Sequence, residues 1–210
     1  MIYSVKEIFL TIQGEGYNSG RKATFCRFSG CNLWNGLETS KKTAKCNFCD
    51  TDFVGVDGIN GGKYTLSSLV SKIEKVSKEN NKEKKLIVFT GGEPLLQLNE
   101  DLIKNLKKKN YEIAIETNGT INPPKGVDWI CVSPKIKNKI VLNYGNEIKV
   151  VYPQKGINLN EFENLRFEHY YLQPLHNEKY SQNLKKTLEA IMKHPKWKLS
   201  LQTHKFIGVK

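Results

Sequence analysis

Arginine is nearly missing from this chain. Only three of its 33 basic residues are arginine, Arg21, Arg27 and Arg166, so almost all of a formal net charge of +12 rests on lysine. That shortage weighs against a sequence-specific nucleic-acid reader, which relies on the planar guanidinium fork for base edges and phosphates. Long apolar runs are also lacking: none approaches the ~18 residues that span a bilayer. Residues 1–7 show no basic segment leading into an apolar one, so neither export nor membrane insertion is expected and a cytoplasmic location is. Cysteine is sparse and odd in number, five in 210 residues, which suits metal or catalytic thiolates better than a disulfide framework. No internal repeat is visible. The length suits one core, and a hydrophobic content of 39% excludes disorder throughout.

Runs rich in β-branched and aromatic residues predict strands at 24–28, 86–90, 112–116, 129–132, 147–151, 169–173 and 198–203. Helical periodicity is rarer and predicts three helices. Leu66, Leu69, Val70, Ile73 and Val76 share one face; Leu102, Ile103 and Leu106 follow Asn99, a residue suited to capping; Leu184, Leu188, Ile191 and Met192 form a third face. The lysine-rich run 78–85 reads as a solvated helix end and loop, and Lys107, Lys108 and Lys109 as a basic helix C-terminus. The gaps between strands match the crossovers that parallel neighbours need. A complete eightfold barrel takes about 250 residues, so the fold expected is an α/β, truncated, partly open βα barrel. It forms a single domain over 1–210 with an extended loop at about 31–49. Arg27, Thr90, Glu116, Ser133, Gln173 and His204 all fall at or just past the C-terminal end of an expected strand, the edge where parallel α/β folds gather their sites.

Cys31, Cys46 and Cys49 form C-x14-C-x2-C, with Cys26 upstream and Cys131 far away. The C-x2-C pair lets two thiolates from one turn reach the same metal, and a third from a neighbouring loop completes a three-cornered site. Three thiolates and a fourth protein ligand would close a zinc tetrahedron; three on a cubane would leave one iron free. Cys26 is the candidate fourth corner, but it lies within a strand beside Thr24 and Phe28, where a small buried thiol is the commoner role, and Cys131 reads the same way. The strand 86–90 runs directly into Gly91-Gly92-Glu93-Pro94, and glycines there expose backbone to a ligand without a Cβ in the way.

The cysteine triplet followed by a strand-end Gly-Gly-Glu-Pro resembles the radical S-adenosylmethionine superfamily. More closely, the chain is similar to the 7-carboxy-7-deazaguanine synthase family of the queuosine and deazapurine pathway. The likeness runs through residues 8–16, 25–34, 46–53, 116–119, 131–135 and 202–205. The chain departs from the superfamily's common C-x3-C-x2-C by placing fourteen residues between its first two ligands, which loop-closure entropy tolerates because it grows only logarithmically.

The resemblance implies a lyase that reduces S-adenosylmethionine at a [4Fe-4S] cluster to a 5′-deoxyadenosyl radical. That radical takes hydrogen from C6 of 6-carboxy-5,6,7,8-tetrahydropterin, and ring contraction with loss of ammonia gives 7-carboxy-7-deazaguanine. It implies Cys31, Cys46 and Cys49 on the cluster and Thr51 on Mg²⁺. The cofactor would be lined by Phe48, Cys49, Asp50, Gly92, Ser133, Pro134, Lys135, Gln173, Pro174, Leu175 and His176. Glu116 and Asn118 stand equally as partners of its ribose or amino group and as a turn. Substrate positions are Ile12, Gln13, Gly14, Glu15, Arg27, Thr90, His204 and Lys210, with Arg27 facing the substrate carboxylate and His204 on a polar strand face with Ser200 and Gln202. The family's members are homodimers, and an acidic flavodoxin or ferredoxin would suit the basic surface as electron donor.

Two other readings compete. A zinc-stabilised basic module on nucleic acid would use the string C-x4-C-x14-C-x2-C and the charge, but leaves the arginine shortage and the Gly-Gly-Glu-Pro strand end unexplained. A glycyl-radical activating enzyme would keep the chemistry and change the substrate. The opening Ile12-Gln13-Gly14-Glu15-Gly16 and the closing Gln202-Thr203-His204-Lys205 argue against it.

Overall fold

The computed structural model describes residues 1–78, 84–135 and 140–210. Among the described residues nine strands form one sheet: β1 (Tyr3–Ile12), β2 (Lys22–Phe28), β3 (Gly62–Tyr64), β4 (Lys85–Gly91), β5 (Tyr111–Thr117), β6 (Trp129–Val132), β7 (Tyr144–Tyr152), β8 (Arg166–Pro174) and β9 (Lys198–Leu199). Their order is β3-β1-β2-β4-β5-β6-β7-β8-β9. Every pair from β2 to β9 is parallel, and only β1 runs antiparallel to its neighbours β2 and β3. A parallel-dominated sheet that stays open is the truncated barrel the sequence predicts.

Described α-helices number six rather than three, besides a 3-10 turn at Pro94–Leu96: α1 (Glu38–Lys41), α2 (Leu66–Ser77), α3 (Glu100–Lys107), α4 (Leu159–Glu163), α5 (Tyr180–Lys193) and α6 (Thr203–Ile207). The three long ones are those expected. Thr65 and Asn99 cap α2 and α3 by accepting from Ser68 N and Leu102 N. The other three are too short to show a repeating period. The face of α5 also differs from expectation. Asn183, Thr187 and Ala190 are its buried residues, whereas Leu188 and Met192 are exposed. The inward polar groups are satisfied: Asn183 donates to Leu175 O at 2.8 Å and Thr187 to Asn183 O at 2.7 Å. Among the described residues no helix is long and apolar enough to cross a membrane.

Alternation along the strands separates two layers. On the convex side Ile8, Cys26, Phe28, Ile87, Phe89, Ile113, Ile115, Val132, Ile148, Val150 and Leu172 pack with Leu69, Ile73, Leu102 and Leu106 of the helices. The concave side holds a second cluster of Phe9, Ala23, Phe25, Leu86, Val88 and Ala114, with Trp129 against it. Polar side chains of the same strands lie further along, toward their C-terminal ends. Of the run 78–85, residues 79–83 lie outside the described ones; Lys78 is the left-handed C-cap of α2, with φ 48°. Lys85 is no surface lysine. It is buried at the start of β4 with its ammonium 4.5 Å from the centre of the Tyr111 ring.

Candidate active site

A cavity of about 640 Å³ opens where the C-terminal ends of the parallel strands meet the chain that follows β1. Strand pairing sets its walls: Arg27 lies opposite Thr90 across β2 and β4, Glu116 opposite Cys131 across β5 and β6, and Val151 opposite Gln173 across β7 and β8.

Cys31, Cys46 and Cys49 all line this cavity, with Asp50 and Thr51 beside them. The fourteen-residue spacer that separates the first two thiols folds back on itself. Lys45 N and Cys46 N donate to Leu33 O at 3.1 and 3.4 Å, which closes the loop at its neck. Trp34 then meets Phe53 edge-on at 5.5 Å and carries Lys41 over its other side. Burial raises the Cys31 and Cys46 thiols above their ordinary pKa, opposed by backbone N–H groups of Leu33 and Trp34 at Cys31 and by the Lys135 charge at Cys46. Taking up a metal there therefore displaces protons.

Cys26 stands apart. It is fully buried in the convex core, on the opposite face of β2 from Arg27, and does not line the cavity. Cys131 is buried as well, and its thiol donates to Glu147 Oε1 at 3.2 Å. Among the described residues no three Cys, His, Asp or Glu side chains converge on a point that would hold a single ion. A donor set of three thiols around one open cavity, without a fourth cysteine, fits a cluster with one free iron better than a zinc tetrahedron.

Gly92 brings the end of β4 onto this corner. A Cβ there would sit 1.9 Å from Gly30 O and 2.8 Å from Cys31 Cβ, so only glycine permits the approach. Glu93 is buried and acts inside the fold: its carboxylate accepts from Leu95 N at 3.1 Å, Thr117 Oγ1 at 2.7 Å and Asn118 N at 2.8 Å, tying the ends of β4 and β5 together. Asn118 lines the cavity and also forms the turn, accepting from Thr120 N at 3.0 Å while donating to Asn32 at 2.9 Å.

Of the cofactor positions, Cys49, Asp50, Gly92, Glu116, Asn118, Ser133, Lys135, Gln173 and His176 line the cavity. Phe48, Pro134, Pro174 and Leu175 do not. Pro134 and Pro174 are buried behind neighbours that face inward, as alternation in extended chain requires, and Phe48 lies 5.4 Å beneath the Lys135 ammonium. All eight substrate positions, Ile12, Gln13, Gly14, Glu15, Arg27, Thr90, His204 and Lys210, line the same cavity. His204 reaches it from a helix, not from a strand: β9 ends at Leu199 and α6 begins at Thr203. The reason is local, since Thr203 N and Thr203 Oγ1 both bond Gly14 O, at 2.9 and 3.0 Å, which pulls the chain out of the ladder.

Charged groups of this end are paired. Arg27 Nε donates to Glu7 Oε1 at 2.9 Å, and Lys210 Nζ holds the other oxygen of the same carboxylate. Lys210 O accepts from Thr11 Oγ1 at 2.7 Å. Burial would raise the Glu7 carboxyl, but Lys210 and Arg27 bring it below its ordinary value. At the floor, Lys149 Nζ lies 2.5 Å from Glu15 Oε2 and 3.5 Å from Glu116 Oε1. Gln202 donates to Glu15 Oε1 at 2.9 Å, and Gln13 to Glu116 Oε1 at 3.0 Å. Burial alone would push Glu15 up; the Lys149 charge and its hydrogen bond override this and hold it at about 2. His204 is lowered, chiefly by burial.

Glu7, Lys149 and Gln202 belong to this constellation and were absent from the expected site. For Lys149 a signal existed: Glu147 and Lys149 alternate with Ile148 and Val150, two charges on one face of an otherwise apolar strand. Glu7 offered none, because its partners lie 20 and 203 positions away in the chain.

Comparison with known proteins agrees with this geometry. The Radical SAM superfamily pattern matches residues 43–132, taking in Cys46, Cys49 and the Gly-Gly-Glu-Pro strand end but beginning beyond Cys31, as the long spacer would cause. A 7-carboxy-7-deazaguanine synthase from Bordetella pertussis is 47% identical over 209 residues, and one from Caulobacter vibrioides 48% over 209, each covering all of both chains. One from Haemophilus influenzae is 32% identical, covering 99% of this chain and 94% of its own. The crystal structure of QueE from Escherichia coli superposes with a TM-score of 0.68 at 24% identity, over 96% of this chain and 94% of that one, and shows the same fold. With near-half identity along its entire length, the chain belongs to the 7-carboxy-7-deazaguanine synthase family of radical S-adenosylmethionine enzymes.

Proposed function

We propose that this protein converts 6-carboxy-5,6,7,8-tetrahydropterin to 7-carboxy-7-deazaguanine with release of ammonia. The observation that carries the reading is a single cavity with three thiols at one end and a hydrogen-bonding, charge-paired recognition surface at the other. Cys31, Cys46 and Cys49 would hold the [4Fe-4S] cluster and Gly92, Ser133, Lys135, Gln173 and His176 would lie along S-adenosylmethionine. Bound there, the two supply one-electron reduction and hydrogen-atom abstraction.

The chain's own residues bind and orient the substrate. Gln13 and Glu15 face the pterin ring with acceptors for its N–H groups. Arg27, with Nε on Glu7 and one outer nitrogen 3.5 Å from Gly91 O, offers its remaining N–H groups to the substrate carboxylate. Thr90, His204 and Lys210 complete the enclosure. Thr51, beside the cysteine corner, would give Mg²⁺ one oxygen, and this cation keeps most of its shell as water and substrate oxygens. The whole chain serves as one catalytic unit. A homodimer is the assembly proposed. An acidic flavodoxin or ferredoxin is the electron donor proposed, steered by a net charge of +12.

The test is anaerobic incubation with 6-carboxytetrahydropterin, S-adenosylmethionine, Mg²⁺ and dithionite. A product of the deazapurine's mass is expected, and its absence from protein that carries a full cluster would overturn the substrate assignment.

A further inference from the structure

Strand β7 carries two charges one step apart on its concave face, Glu147 and Lys149, and both hold the segment that follows β1. Glu147 Oε2 accepts from Tyr17 N at 2.9 Å, and Gly16 packs so closely on this carboxylate that a Cβ would lie 2.1 Å from Oε1. Lys149 takes hold of Glu15 in the same segment. A side chain only 4% exposed on an interior strand has no role in surface charge. A buried ammonium is also costly unless it is compensated.

We infer that Lys149 is a positioning residue for substrate recognition: seated between Glu15 and Glu116, it neutralises this carboxylate pair and aims Glu15 at a 2-amino-4-oxopyrimidine edge. That edge, which a pterin carries, offers two adjacent N–H donors, and a carboxylate fixed in plane answers both. The inference rests on the pterin reading above and deepens it. Geometry leaves Glu15 little freedom, since Oε2 is held by Lys149 and Oε1 by Gln202. The groups that face Lys149 are Glu15, Glu116, Glu147 and the Cys131 thiol; His204 of α6 feels the charges of Glu15, Glu116 and Lys149 alike. Without the ammonium, Glu15 would lose its ion-pair partner while sharing the space with two other carboxylates, and its affinity for a proton would rise. A protonated Glu15 presents a donor where the ligand also has donors.

The experiment measures binding of 6-carboxypterin, the stable oxidised analogue with the same edge, to holoenzyme with S-adenosylmethionine and Mg²⁺. Its fluorescence is followed between pH 5.5 and 8. Taken as the ratio of variant to parent Kd in a His204→Gln background, the titration of the ligand cancels and that of His204, on which the Lys149 charge acts, is absent. For Lys149→Met the expected ratio is at least about tenfold at pH 6 and shrinks as pH rises to 8, with Lys149→Arg restoring a flat profile. A ratio independent of pH, whatever its size, would show a merely structural role and overturn the inference. Should Lys149→Met fail to fold, Lys149→Gln retains a donor and faces the same two outcomes. Failure of wild-type holoenzyme to bind the probe would instead overturn the pterin reading, and this inference with it.

Discussion

At the scale of single residues, the thiols divide by whether they reach the cavity, which Cys131, bonded to Glu147, does not. Cys31, Cys46 and Cys49 reach the cavity, whereas Cys26 is sealed in the convex core at 0% exposure. Burial raises the Cys26 thiol to a pKa beyond the ordinary range of thiols, so it stays protonated and is a poor metal ligand. The two groups should respond oppositely to substitution. Cys31→Ala, Cys46→Ala and Cys49→Ala each remove one of three ligands, and reconstituted protein should hold well under the about four irons per chain of an intact cubane. Cys26→Ala should keep its iron and its brown absorbance while losing about 1 kcal/mol of stability to the small void left behind. Iron analysis and a thermal melt on the same four preparations check both halves. Loss of iron in Cys26→Ala to the level of Cys49→Ala would place it among the ligands.

At the scale of elements, the strands of the parallel run were legible because apolar, β-branched stretches read as buried strand wherever they stand. β1 was not, since Lys6 and Glu7 interrupt its apolar pattern. Both charges are compensated at a distance, Lys6 by Asp52 and Asp57 at 2.8 Å each, and Glu7 by Arg27. The site divides similarly. Glycines, thiols and strand-end polar residues announce themselves in sequence, but the ionic floor depends on partners brought together only by the folded sheet. His204 reached its expected place by an unexpected element, because alternation over six residues cannot distinguish a strand from an extended segment that ends in a helical turn. The meeting of β4 with the cysteine corner yields an element-level prediction. Gly92→Ala forces a Cβ against Gly30 O and Cys31, so the strand end must retreat from the loop. Iron retention should fall and the melting temperature with it, whereas Gly20→Ala, where nothing lies within 4 Å of the new Cβ, costs only the strain of φ +89° and should keep its iron. Equal iron in both variants would detach the strand end from the cluster site.

At the scale of the whole molecule, opposed buried charges set how stability depends on pH. Glu15 is held at about 2 against an ordinary 4.5. Its contribution is therefore present above 4.5 and lost as pH falls from there toward 2. Glu7 and Glu112 are lowered too, Glu112 chiefly by Arg21, and act with the same sign. Glu93 and Glu147 have the opposite sign: burial raises them, so what they contribute is present below 4.5 and lost as pH rises through their folded values. The two sets titrate in separate windows, the raised carboxyls above 4.5 and the lowered ones below it, where a chain already at +12 also gains further positive charge. The melting temperature should thus rise as the raised carboxyls take up protons on the way down to about pH 4.5 and fall below it. Glu15→Gln removes one lowered group and leaves Lys149 facing Glu116, so its melting temperature should lie below wild type near pH 7, with the gap narrowing below 4.5 and closing only as pH approaches 2. Acid lability of a bound cluster is common to both proteins and cancels in the difference. A gap between the two curves that stays constant with pH would mean that Glu15 stabilises the fold by packing alone and that its charge has no part in holding the sheet's mouth together.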